Sequence, residues 1–199
     1  MDSVSIHMRI ALLPITNGKI MVLLVLAVAL LGFRLLGTLG VRRFATWPAS
    51  AAPAMAVMLV VTASAHFVPA GVTVMPNHAD LVRMVPPLVP FPDAMVYLTG
   101  VLELLGALGL VLTATRWAAG LSLAALFVLL LPANIYAAVA GVPFNGEEPT
   151  PLWLRIPEQI LYIALVVWVA RSADSTAIRR LLRRHLRRSE SAPPAVASR

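Results

Sequence analysis

Cysteine is absent from the 199 residues and lysine occurs once, at Lys19. Without cysteine there are no disulfides, thiolate metal sites or Cys-ligated iron–sulfur clusters. Charge is scarce too, at 13% of residues against about 25% in soluble domains. No charged side chain stands between Arg43 and Asp80, or between Arg116 and Glu147. Both intervals exceed the roughly 20 apolar residues that cross a bilayer as a helix. Histidine is also sparse. Of His7, His66, His78 and His185, only His66 falls in an apolar run, so a membrane haem held by two histidines is not expected. No Glu-x-x-His pair occurs, so neither is a di-iron bundle. The sequence therefore predicts no metal site and no intrinsic cofactor.

What remains is 59% hydrophobic and reads as an all-α polytopic membrane protein. Five spans are expected: Ile20 to Leu39, Ala52 to Val68, Ala94 to Thr113, Trp117 to Ala140 and Leu152 to Ala170. Residues 1–18 read as a polar tail, with Pro14 and Asn17-Gly18 as breakers. The first span competes with a signal peptide, but Arg34, Arg42 and Arg43 follow the run and no A-x-A site appears. A retained helix is preferred, with Arg34 snorkelling toward Arg42 and Arg43. Between spans two and three, Pro76, Pro86, Pro87, Pro90 and Pro92 break regular structure. Among them Asn77 to Val85 suits a short amphipathic helix capped by Asn77.

The net charge of +7 is concentrated in Arg179, Arg180, Arg183, Arg184, Arg187 and Arg188. That is a tail property, so nucleic acid is not an expected partner. These arginines alternate with Ile178, Leu181, Leu182 and Leu186 at helical spacing. The pattern predicts a basic amphipathic helix over 176–188 that meets anionic lipid, enforces orientation, or does both. Residues 189–199 read as disordered. Arginine counts place the C-terminus in the cytoplasm and the N-terminus outside the cell membrane. The expected divisions are 1–50 (tail, extra helix and basic loop), 51–171 (four-helix membrane domain) and 172–199 (basic tail).

Polar residues inside the spans are the candidates for function. Glu103 lies mid-span, with Gly100, Gly106 and Ala107 on its own helical face. It is either a proton-exchanging or ligand-binding acid, or a neutral glutamate hydrogen-bonded between helices. His66 at a span end is a ligand contact, or an interfacial histidine bonded to backbone or a nearby acid. Pro132 frees the Val128 carbonyl. Asn134 and Tyr136 then shape a pocket, or they repair the kink and anchor the interface. Arg155, Glu158 and Gln159 share one face, with Pro157 expected in the first turn. They hold the helix end or bind an anionic or carbonyl-bearing ligand. Span directions put His66, Glu103, Asn134, Arg155 and Glu158 in one half of the bundle, where they are expected to line one cavity. No catalytic residue can be named.

Several segments together carry a resemblance: Ser64-Ala65-His66-Phe67, DLVRMVPPLVPFP (Asp80 to Pro92), YLTGVLELLGALGL (Tyr97 to Leu110), LPANIY (Leu131 to Tyr136) and PLWLRIPEQ (Pro151 to Gln159). Over residues 51–171 the chain resembles the DoxX-like family of small bacterial membrane proteins. The resemblance implies a four-helix bundle, to which the first helix and the basic tail are additions. It also implies association with membrane redox complexes, hence a quinone as ligand and a redox partner protein. The alternative is a non-enzymatic bundle that binds a lipid, a small hydrophobic ligand or another protein.

Overall fold

The computed structural model describes residues 20–72 and 74–190, with side chains described as far as residue 173. The expected tail over 1–18 and the stretch 191–199 lie outside the described residues. So do the side chains of the six tail arginines.

Six α-helices and one 3-10 turn make up the described fold: α1 (Met21–Thr38), the turn Arg42–Phe44, α2 (Trp47–Ser64), α3 (His78–Met84), α4 (Pro92–Val111), α5 (Arg116–Val139) and α6 (Leu152–Glu190). All but α3 are long and apolar enough to cross a bilayer, as a multi-pass membrane protein requires. Among the described residues there is no strand, only one isolated bridge between Phe144 and Glu147.

Helix boundaries follow local chemistry. The second span was expected from Ala52 but begins at Trp47. Thr46 caps it by accepting from the Ala49 amide, and Pro48 sits in the first turn, where no N–H is needed. It ends at Ser64, short of the expected Val68. The amides of Ala65, His66 and Phe67 bond only three residues back, to Thr62, Ala63 and Ser64, before Pro69 supplies no donor. Helix α3 forms as expected, with Asn77 and Asp80 completing a capping box. Helix α6 corrects two expectations. It runs unbroken to Glu190, so the basic tail helix is its continuation and not a separate element. Pro157 consequently stands six residues in, in the second turn. Between α5 and α6 the chain reverses at Asn145-Gly146, both at positive φ, with Phe144 and Glu147 exchanging amide bonds of 2.9 and 3.1 Å.

Helix α2 is the centre of the bundle. Alanines 51, 52, 54 and 63 with Met55, Met58 and Leu59 are almost wholly buried, and α1, α4 and α6 all pack on it. Small side chains let backbones close in, the usual device where lipid removes a hydrophobic drive between helices. A Cβ on Gly100 would come within 2.6 Å of the His66 Cβ, and one on Gly120 within 2.6 Å of the Val166 carbonyl oxygen. Gly100, Gly106 and Ala107 are buried together, as their shared face predicts. Helix α1 is peripheral, burying only Leu26 while Arg34 lies 5.4 Å over the Trp47 ring.

The arginines that suggested orientation also close a helix. Arg116 Nε donates to the Leu110 carbonyl at 2.8 Å and Arg43 to the Val111 carbonyl at 3.0 Å. Cations here satisfy the C-terminal carbonyls of α4 and complement its dipole. This end of the bundle therefore gathers the α1–α2 turn, the end of α4, the start of α5 and Ala170 of α6, which abuts Gly120. The opposite end holds α3, the start of α4, the end of α5 and the start of α6.

Candidate functional site

At that opposite end α5 and α6 are tied by side chains inside otherwise apolar helices. Arg155 donates to Asn134 Oδ1 at 2.7 Å. Asn134 Nδ2 faces Gln159 Oε1 at 3.4 Å, and Gln159 Nε2 donates to the Phe127 carbonyl at 2.8 Å. Phe127 precedes Val128, the residue whose carbonyl loses its helical donor to Pro132. Gln159 on α6 thus bonds the backbone carbonyl next to the one that Pro132 frees, and does not replace the lost bond. Asn134 and Gln159 are buried, and Arg155 keeps a third of its side chain exposed. A guanidinium has five N–H donors, and one of them is bonded to Asn134.

Glu158 follows on the same face. Its Oε2 is 3.8 Å from Arg155 Nη1, an ion pair without a hydrogen bond. Its Oε1 is buried and has no hydrogen-bond partner among the described residues. Glu103, on α4, is also buried. Thr62 on α2 donates to its Oε2 at 3.4 Å. Tyr136, half-buried on α5, makes no side-chain hydrogen bond to any described residue.

His66 belongs to a different set. It lies two residues beyond α2, and its Nδ1 donates to the Val96 carbonyl at 2.6 Å. Burial is the main cause that pushes its pKa below the ordinary 6.5; the nearby His78 adds to this, and the Val96 bond opposes it. His78 donates from Nδ1 to the His66 carbonyl at 2.8 Å. It stacks on Tyr97 with ring centres 4.1 Å apart, and its Nε2 is 3.2 Å from Asp93. This His78–Asp93–Tyr97 set escaped the sequence reading. Asp93 and Tyr97 stand four apart on α4, but His78 lies across the proline-rich connector, and no spacing rule joins it to them. The Asp80–Arg83 ion pair on α3 escaped that reading too, although its three-residue spacing fits a helix face.

Two cavities can be placed among the described residues. One, of about 510 Å³, is a groove against α3 that includes Phe67, His78, Arg83, Asp93 and Tyr97. The other, of about 250 Å³, lies between α4 and α5 and is lined by apolar residues such as Leu102, Gly106 and Leu123 together with Ser122. Neither is lined by any of the seven residues picked out from the sequence.

No curated protein and no solved structure matches the chain. Residues 55–170, from within α2 to the apolar part of α6, match the family described as Domain of unknown function (DUF8561). The match takes in part of α2, all of α3, α4 and α5 and the apolar part of α6, and the chain belongs to that family.

Proposed function

We propose that the chain is a DoxX-like protein of the cell (inner) membrane that holds the polar head of an amphiphile beside Arg155. The observation that carries this reading is how the arginine is held. Asn134 fixes it, Gln159 fixes Asn134, and the Phe127 carbonyl of α5 fixes Gln159. A cation so positioned at the end of a lipid-facing bundle is pre-organised for a carbonyl or anionic head group. The same groups holding only the helix ends would not need a guanidinium left one-third exposed.

A quinone fits this donor set, because its carbonyl oxygens accept the N–H groups that Arg155 has left over. Bound there it would supply a two-electron carrier, in keeping with a redox-complex subunit and its partner protein. His66 does not extend the donor set, since its Nδ1–H is spent on Val96. The second reading is a non-enzymatic bundle for a lipid, a small hydrophobic ligand or a partner protein. It is favoured by the anchoring of Arg155 through neutral amides, which orient a head group without supplying a chemical step.

Organic extraction of the purified full chain tests the proposal. Mass spectrometry should find one amphiphile, quinone or lipid, enriched over its share of the source membrane. The enrichment should be lost in Arg155→Gln protein that remains monodisperse. Identical extracts from both proteins would overturn the assignment.

A further inference from the structure

The groove of about 510 Å³ against α3 has a charge of each sign on its walls, Arg83 from α3 and Asp93 from α4. Both are held from behind and open in front. Arg83 is more than half exposed and donates to Asp80, which is buried in the capping box of α3. That bond takes one of the five guanidinium N–H groups. Asp93 is about three-quarters exposed, and its Oδ1 meets His78 Nε2 at 3.2 Å. His78 is itself mostly buried, bonded through Nδ1 to the His66 carbonyl and stacked on Tyr97. One imidazole therefore positions both the acid and the aromatic wall. A groove with one fixed cation and one fixed anion disfavours ligands of a single sign and complements a zwitterion.

The second observation is the face of α4 that leads out of the groove. Asp93, Tyr97, Val101, Leu104 and Leu108 follow at spacings of three and four, so they share one side of the helix. All five are exposed. The face passes from charged through aromatic to apolar over a rise of roughly 22 Å. That gradient is the profile of an amphiphile, with the tyrosine at the level where interfacial aromatics sit. We infer that the groove binds a zwitterionic phospholipid whose head carries a primary ammonium. Its phosphate meets Arg83, its ammonium meets Asp93, and one acyl chain follows the α4 face. A primary ammonium donates charge-assisted hydrogen bonds to a carboxylate. A quaternary ammonium has no N–H to give, and a glycerol head brings Asp93 no positive charge. The groove shares no residue with the Arg155 set, so neither reading rests on the other.

Native mass spectrometry of the full chain in detergent tests this. The protein is titrated with phosphatidylethanolamine, phosphatidylcholine and phosphatidylglycerol of identical acyl chains. The ethanolamine lipid should bind about tenfold more tightly than the glycerol lipid, with the choline lipid between them. Asp93→Asn should abolish that preference, and Arg83→Gln should weaken all three lipids, since each carries a phosphate. Asp93→Asn strands no buried partner, so it carries the test if Arg83→Gln, which leaves Asp80 unpaired, does not fold. Arg155→Gln should leave the preference intact, which separates this site from the one beside Arg155. Soluble phosphoethanolamine, lacking a chain, should not compete at lipid concentrations. Equal affinity of wild-type protein for the three lipids would overturn the inference. So would a preference that survives Asp93→Asn or is lost in Arg155→Gln, and so would competition by phosphoethanolamine equal to that of the lipid.

Discussion

Replacing Asn134 by leucine removes the centre of the α5–α6 tie while keeping the heavy-atom count and branching of the side chain. No cavity opens, so the loss reflects hydrogen bonding. The 2.7 Å bond from Arg155 has a charged donor and is worth about 1.5–3 kcal/mol. The 3.4 Å contact to Gln159 is near the geometric limit and adds about 0.6 kcal/mol, typical between membrane helices. Arg155 is one-third exposed and recovers part of its loss by hydration, which lowers the total to about 2–3 kcal/mol. Unfolding of detergent-solubilised protein by sodium dodecyl sulfate measures this difference. A cycle with Arg155→Met isolates the pair and should return a coupling of about 1–2 kcal/mol. An Asn134→Leu protein within about 0.5 kcal/mol of wild type, or zero coupling, would refute the reasoning.

Four further outcomes are expected. Gly100→Leu should destabilise by about 1–3 kcal/mol in the same titration, because the α2–α4 contact leaves no space beside His66. His66 has a folded pKa below the ordinary 6.5, so its neutral form adds no cost above that pH. As pH falls below 6.5 the unfolded chain takes the proton first and stability declines; His66→Gln should flatten this part of a stability–pH curve. Reporter fusions after Gly71 and Gly146 should read external, and those after Thr115 and Arg188 cytoplasmic; an internal signal at Gly146 would refute the orientation. A peptide spanning residues 172–189 should become helical on anionic vesicles and be released by salt, whereas equal binding to neutral vesicles would remove the electrostatic role of its arginines.

The five long helices were legible because lipid imposes a coarse rule, roughly 20 apolar residues per span, that survives ignorance of packing. Their ends were less so. Pro48 reads as a breaker until Thr46 is seen to cap the helix, and only then is it a first-turn residue. The extent of α6 was missed because the change from apolar to basic at Arg171 resembles a boundary, although nothing in the backbone stops there. Within the site, the Arg155, Glu158 and Gln159 face follows from helical spacing, and the small face around Glu103 from its glycines. What could not be read was which groups meet across helices. Thr62 reaches Glu103 over 41 residues and Gln159 reaches Phe127 over 32, distances that no periodicity encodes. Arg43 and Arg116 looked like topology signals, yet both also cap α4, a use visible only once the helix ends are side by side.

An experimental structure of the full chain in lipid nanodiscs made from its native membrane tests the central claim most directly. The account predicts an elongated molecule between α5 and α6 whose head-group oxygen lies within hydrogen-bonding distance of the Arg155 guanidinium, with Asn134 and Gln159 still in place behind it. A guanidinium closed off against Asn134 and Glu158 alone, with ordered amphiphile only in the groove beside His78 and Tyr97, would contradict it.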